Sequence, residues 1–414
     1  MTAIPNPGPA APLTLITWTQ NAAIFAVCVN LFSTALANLG FAVFLLLFVV
    51  TCLSGQRRHL DARSFPAGLA LALCIYIGWE VAGLTYTDAP MPYALKSIFS
   101  DRKILYILPL ALIFSDEGPK RKFLAAFMAT SVVGLVLSFA VINHYLHVHL
   151  RLNPYAVFRS HATQGMVFAI CVFLALWFGF RQKIPVWRWG FYGLAGAFFL
   201  NLAMVTPGRS GYVVFLVLTV WAFSMWRGFK GVVIGVLVAS VLGVGAFYAS
   251  SSVRGRVMEG VTEVRNYETS PTETSLGRRM IQYQTTWGMI QESPVLGVGT
   301  GGFKQHFSAI AAKNYTGWRA IPFDDPHNQY LFILAENGVI GLLAFLAVIG
   351  MMLKYCLKGG SIYGKMAAGC VLAWCATSLF SGHFRTFPEG HLIAFIVGIL
   401  MVNRPSGDPG KQLG

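Results

Sequence analysis

Three short stretches hold residues whose types and spacing suit chemistry on an anion. The run FDDPHNQYLFILAENGVIGLLAFL sets Asp324, Asp325 and Pro326 ahead of an apolar helix and His327 at its outer end. A histidine at a helix start near a membrane surface is partly desolvated and close to the positive end of the helix dipole. Both effects disfavour imidazolium and keep a neutral base available. Asp324 or Asp325 can orient the ring or cap the helix; the plainer reading is an interfacial histidine bonded to loop backbone. The run MVTPGRSGYVVFL puts Arg209 in a tight turn between two apolar segments, where a charge is expensive. It either snorkels to lipid phosphate or holds a ligand phosphate. In the second case Ser210 and Gly211 cap the helix and let the ligand approach free N–H groups. The run ETSLGRRMIQYQTTWGMIQESPVLGVGTGGF reads as a helix capped by Ser275 and carrying Arg278 and Arg279, then a turn region rich in Pro and Gly. Adjacent helical residues diverge by roughly 100°, so at most one of the two arginines points at a given site. Gly297, Gly299, Gly301 and Gly302 are spaced like a dinucleotide loop but lack a preceding strand, so a turn or a phosphate nest fits better.

Positioning these groups falls to membrane helices. Of the 414 residues, 56% are apolar and 11% charged, the profile of a chain dissolved in lipid. Apolar runs recur near 12–33, 37–54, 65–85, 102–115, 123–143, 162–180, 189–206, 210–226, 231–250, 327–353, 364–381 and 389–403. The pattern predicts an all-α polytopic integral membrane protein of about twelve transmembrane helices with one large outward-facing loop that itself contains helices. The segments are 1–250 with the first nine spans, 251–326 as the loop, 327–403 with the last three spans, and 404–414 as a tail. The shortest span, ILYILPLALIF, counts as a crossing because basic loops flank 64–119 and an even number of crossings must separate them.

Alternate connections are basic: Arg57, Arg58 and Arg63; Lys120 to Lys122; Arg181, Lys183 and Arg188; Arg227 and Lys230; Lys354, Lys358 and Lys365. By the positive-inside rule these loops and both termini are cytoplasmic, which sends Arg209, Arg279 and His327 to the outer face. Topology thus accounts for most of the net charge of +15, and nucleic acid is not an expected partner. No basic residue precedes the first apolar run, so the N-terminus does not read as a cleavable signal. The seven cysteines lie in or beside apolar runs with no CxxC pair, which fits packing rather than metal or redox chemistry. His144, His147 and His149 could form a metal site, but no acidic or thiol partner stands near them and an interfacial role is preferred.

The RSG turn, the S-L-G-x-R helix leading to P-V-L-G-V-G-T-G-G-F, and P-H-N-Q-Y-L followed by E-N-G-V-I-G surround one large loop. In that order and spacing, over about 204–346, they resemble the O-antigen ligase and polymerase superfamily of bacterial envelope glycosyltransferases. The resemblance implies an enzyme of the bacterial inner membrane that moves a glycan from undecaprenyl diphosphate to an acceptor hydroxyl on the periplasmic face, and it makes the large loop periplasmic. It implies His327 as the catalytic base and Arg209 and Arg279 as the arginines on the diphosphate. Tyr283 stands where the family often has Trp. Arg159, His161, Arg278, Tyr330, His383 and Arg385 are further candidate substrate contacts. Glu336 lies deeper than His327 and on another helical face, so it is expected to pair inside the bundle; Glu80 either touches substrate or bonds internally.

The first outer connection, STALANLG, has no acidic residue, and Asp88 and Asp101 are far apart, so neither metal nor cofactor is expected, with arginines in the cation's role. Three acceptors fit the family: lipid A-core in a ligase, the growing chain in a polymerase, or a protein hydroxyl. The chain ends just after its last span, where protein-modifying members usually carry extra sequence, so the third is disfavoured and the ligase preferred. The expected partners are an undecaprenyl diphosphate-linked O-antigen donor, the lipid A-core acceptor and membrane lipids. A transporter or flippase for a lipid-linked sugar is the rival from another class. It would show paired broken helices and midplane charges rather than Arg and His gathered at one surface.

Overall fold

The computed structural model describes residues 14–55, 60, 65–142, 156–205, 209–249, 251–270 and 272–401. Within them every apolar run is helical and no strand occurs. The first ten helices are α1 (Leu15–Val29), α2 (Thr34–Leu53), α3 (Ala67–Ala82), α4 (Met91–Asp101), α5 (Ile107–Ile113), α6 (Glu117–Ile142), α7 (His161–Arg181), α8 (Pro185–Met204), α9 (Arg209–Arg227) and α10 (Phe229–Ala249). The polar stretch folds into α11 (Ser251–Asn266), α12 (Ser275–Glu292) and α13 (Phe303–Asn314); α14 (Gln329–Leu357), α15 (Ile362–Thr377) and α16 (Phe387–Leu400) complete the bundle. His144, His147 and His149, like the basic residues Arg57, Arg58 and Arg63, lie outside the described residues.

A helix stands at every stretch read as a span, yet among the described residues seven are long and apolar enough to cross a bilayer: α1, α5, α15 and α16 are too short, and α8, at 20 residues, is long enough but not apolar enough. The weakest, α5, follows a 3-10 turn (Arg102–Tyr106) and packs on α16. A side chain at Gly398 would meet Leu110 Cβ at 2.7 Å, so α5 is covered by protein rather than by lipid. The long helices are apolar on all sides, and a water-driven amphipathic stripe is absent because lipid accepts the outer face. On α2, Phe41 and Phe44 are buried while Leu39, Leu46 and Leu53, seven residues apart, are exposed. Small residues set the closest crossings, Gly40 against Ala26 and Gly211 against Gly165. Gly211 therefore serves the contact of α9 with α7 and does not open a path for ligand, contrary to the expectation for the RSG turn.

The helix after His327 is broken. Gly338 has φ 64° and ψ −171°, which interrupts α14 and frees carbonyls that a membrane interior cannot hydrate. The segment after α12 fills the break: Val298 N–H donates to Ala335 O at 2.9 Å, Gly299 N–H to Glu336 O at 2.9 Å, and Val339 N–H to Pro294 O at 3.0 Å. Trp79 Nε1 donates to Asn337 O at 2.8 Å. The glycines in this segment are shaped by that docking, with φ 75° at Gly297, 86° at Gly299 and 80° at Gly301. Gly299 N–H is spent on α14, while Gly297 N–H donates to Ser293 O and Gly302 N–H to Gly299 O, both at 3.0 Å within the turn, so these donors are not free for a phosphate and the turn alternative holds. Gly338→Ala is expected to destabilise the protein by about 1–3 kcal/mol through backbone strain alone. The added Cβ would also sit 2.0 Å from Val295 O. A fall of about 5 °C or more in the melting temperature of detergent-purified protein is the expected result; an unchanged melt would mean that the break is dispensable.

Candidate active site

Between the start of α12 and the turn that leads into α14, a polar cleft of about 330 Å³ is lined by Glu273, Thr274, Ser275, Arg278, Arg279 and His327. The cap of α12 is Thr274, whose hydroxyl accepts from Gly277 N–H at 3.1 Å; Ser275 is the first helical residue, one position inside the expected cap. Both Arg278 and Arg279, in the second turn, reach this one opening, although adjacent side chains were expected to diverge. They differ in engagement. Arg278 is paired with Glu273 and lies 5.4 Å from the centre of the Phe323 ring. Arg279 is half-buried and has no ion pair among the described residues. Burial lowers its pKa, and the charge of Arg209 adds to that, which puts the two arginines within each other's field. Tyr283 and Asp325 oppose that lowering, and with no ion pair of its own among the described residues the Arg279 guanidinium is available to an anion. Arg209 opens α9, so Ser210, the next residue, lies inside the helix and is not the cap expected of it; residues 206–208 just before lie outside the described residues.

His327 is held by its backbone. Among the described residues it is the one non-glycine with positive φ, at 54°, a conformation that costs of order 1–3 kcal/mol and that surrounding bonds must impose. Asp325 Oδ1 accepts from His327 N–H at 2.5 Å. Asn328 caps α14, its Oδ1 accepting from Tyr330 and Leu331 N–H at 3.0 and 3.1 Å. Gln329 N–H is tied to Ser378 O at 2.8 Å. Asp325 thus fixes the main chain of the histidine, while Asp324 turns to Lys304 at 2.9 Å; neither caps the helix, and the cap expected of them belongs to Asn328. Asn is a strong N-cap residue, so its place in P-H-N-Q was a usable signal that went unread. Burial lowers the pKa of the His327 imidazole, Asp325 opposes, and Arg279 and Arg278 reinforce the lowering, so the ring is neutral at pH 7.

The remaining candidates divide. His383 joins the centre electrostatically but is buried, 2% exposed, behind His327; burial lowers its pKa, so it backs the cleft and does not touch a ligand there. Arg385 is buried in a network: its Nη2 donates to Ser97 Oγ at 2.8 Å, its Nε lies 3.6 Å from Asp101, and its guanidinium stands 3.9 Å over the Phe332 ring. Glu336 accepts from Ser97 Oγ at 2.8 Å, which is the internal pairing expected of it, and Glu80 is likewise fully buried. Tyr330 donates its hydroxyl to Cys375 O at 2.8 Å and is occupied in joining α14 to α15. Arg159 bonds Thr34 Oγ1 and lies over the Phe387 ring, and His161 opens α7; neither lines the cleft at His327. Tyr283 donates to Leu379 O at 3.1 Å and neighbours Arg279. Among the described residues no three His, Cys, Asp or Glu side chains converge as a metal site.

Fold and site together describe a multi-pass helical membrane protein with a cationic cleft and a neutral histidine at one end of its bundle. Residues 194–346 match the family model described as O-antigen ligase, so the resemblance read from the motifs stands, and the match spans Arg209, Arg279 and His327. An uncharacterized protein of Haemophilus influenzae is 22% identical over 64% of this chain and 67% of its own length. A protein named O-antigen ligase in Salmonella typhimurium is 21% identical over 61% of this chain and 60% of its own length.

Proposed function

We propose that this protein is an O-antigen ligase of the bacterial inner membrane, transferring O-antigen from undecaprenyl diphosphate to a hydroxyl of lipid A-core at the periplasmic face. The observation that carries the reading is the meeting of the strained, neutral His327 with the unpaired Arg279 in one cleft, beside Arg209. The anomeric carbon of the donor already bears a good leaving group, so the protein must take a proton and stabilise charge. A ring nitrogen of His327 takes the acceptor's hydroxyl proton while that oxygen forms its bond to the anomeric carbon. The bond from that carbon to the phosphate oxygen breaks, and its electron pair leaves on undecaprenyl diphosphate, where Arg279 and Arg209 meet the growing charge.

Purified protein given undecaprenyl diphosphate-linked glycan and lipid A-core is expected to produce glycan-bearing lipid A-core. A deletion strain separates the ligase from a polymerase of the same superfamily: ligase loss strips all O-antigen from the lipid, polymerase loss leaves a single repeat. With arginines on the diphosphate, transfer is expected to persist in excess EDTA. Loss of activity in EDTA, restored by Mg²⁺ or Mn²⁺, would remove that part of the mechanism.

The broken α14 supports the transporter reading only weakly. Broken transporter helices come in pairs and offer their freed backbone to a substrate, whereas Ala335, Glu336 and Asn337 carbonyls are already bonded inside the protein.

A further inference from the structure

The end of the bundle opposite His327 holds a larger groove. Gln329 N–H bonds Ser378 O at 2.8 Å, so α15 finishes beside the histidine turn, and its first residues lie at the far end with the last turns of α7 and α9. These two helices cross closely near their starts, where Gly165 meets Gly211. Toward the far end glycine gives way to bulky aromatics, and a groove of about 700 Å³ opens between them. Its walls include Trp177 and Phe180 of α7, Phe223 and Trp226 of α9, and Ile362 and Lys365 of α15. Tyr192 of α8 adds a further wall, packed so closely on α7 that a Cβ at Gly179 would lie 2.5 Å from its ring.

The walls are apolar or aromatic except at one place. Among the described residues Lys365 is the one charged group that lines the groove, and it has no ion pair. Its main chain is fixed, since Trp221 Nε1 donates to Lys365 O at 2.8 Å. Two more cations stand on tryptophans of the wall. Arg181 lies 5.3 Å from the centre of the Trp177 ring and Arg227 4.5 Å from that of Trp226, and neither has an ion pair among the described residues. The acids described at this end, Asp116 and Glu117, stand at the start of α6 and do not line the groove; Glu117 pairs with Arg121 at 3.8 Å. A neighbouring apolar groove on α9, lined by Leu216, Val217, Val220 and Leu372 among others, has no ionisable group and nothing to select a ligand.

An apolar trough that ends at an unpaired ammonium and two guanidinium groups has the polarity of a lipid with an anionic head. Hydrocarbon chains cover the aromatic walls, and the phosphate meets cations carried on apolar stems at headgroup level. A second copy of this chain fits less well, because it would bring the same cationic end against this one.

We propose that this groove binds an anionic two-chain phospholipid, with its chains between α7 and α9 and its phosphate on Lys365, flanked by Arg181 and Arg227. The site does not depend on the transferase reading, and it lies at the opposite end of α9 from Arg209.

Native mass spectrometry of the detergent-purified full chain, titrated with phosphatidylglycerol or with phosphatidylethanolamine of identical chains, tests the assignment. The wild type is expected to retain one phosphatidylglycerol about fivefold or more tightly than phosphatidylethanolamine. Lys365→Gln should weaken the phosphatidylglycerol complex about fivefold and leave the other lipid unchanged. Lys358→Gln, at the same end but outside the groove, should change neither. Ala222→Trp, which fills the groove, should remove the bound lipid; should that variant not fold, Lys365→Gln against Lys358→Gln decides. Equal retention of the two lipids, equal weakening by the two lysine variants, or a lipid-free dimer that Ala222→Trp separates would each overturn the proposal.

Discussion

His327→Asn is expected to lower the rate of glycan transfer about 10²–10⁴-fold while donor binding and melting temperature stay near those of the wild type. Asparagine is the informative replacement because position 327 has φ 54°. Asn tolerates that backbone region, so the variant removes the base without adding strain, whereas His327→Ala would mix the two effects. The pH profile carries a second signature. A base acts when deprotonated, and His327 is held below its ordinary 6.5 by burial, against the pull of Asp325. Activity should therefore rise with pH along an acid limb centred below 6.5 and be flat from pH 7 to 8. Asp325→Asn removes the opposing charge and should move that limb further down; Arg279→Gln removes a cation that lowers the pKa and should move it up. Near wild-type transfer by His327→Asn would end the assignment of the base.

How much of this was readable beforehand depends on how local each cause is. The spans, the sidedness argument and the three motif-bearing stretches rest on composition and short patterns, and the helices appear where those patterns put them. The cap of α12 moved from Ser275 to Thr274, a one-residue shift of the kind that two adjacent hydroxyl residues invite. What stayed hidden depends on partners distant in the chain. Arg385 reads as a surface contact until Ser97 and Asp101 arrive from α4, and Tyr330 reads as available until Cys375 O takes its hydroxyl. The glycine run and E-N-G are two halves of one feature. Each looks like a separate turn in the sequence, and only their docking shows that the first supplies the hydrogen bonds which the second breaks.

That docking also gives the site its rigidity. The segment that mends α14 begins at the end of α12 and continues into α13, so the helix carrying Arg278 and Arg279 and the helix following His327 are fastened to each other at the break. A histidine in an unfavourable backbone region and an unpaired arginine both need such support to keep their relative geometry. Gly338→Ala should for that reason lower transfer as well as stability.

Arg279→Ala is expected to lower kcat/KM for the lipid-linked donor about 10²–10³-fold, the usual effect of removing one preorganised group on a developing negative charge. Arg279→Lys should recover only part of the loss, because an ammonium keeps the charge but not the two-pronged fit to phosphate oxygens. The double variant with Arg209→Ala should fall short of the product of the single effects, since both act on one ligand. Stability separates this role from a structural one. An arginine that holds the fold costs stability when removed, but Arg279 is half-buried, has no ion pair among the described residues and sits in the field of Arg209. Its removal relieves repulsion from Arg209 and gives up attraction to Asp325, so the ligand-free variant should melt close to the wild-type temperature. Added undecaprenyl diphosphate should then raise the melting temperature of the wild type and leave that of Arg279→Ala unmoved, because a ligand stabilises only the state that binds it. A variant that melts well below the wild type and still gains from the ligand would make Arg279 a structural residue and leave the diphosphate to Arg209 alone.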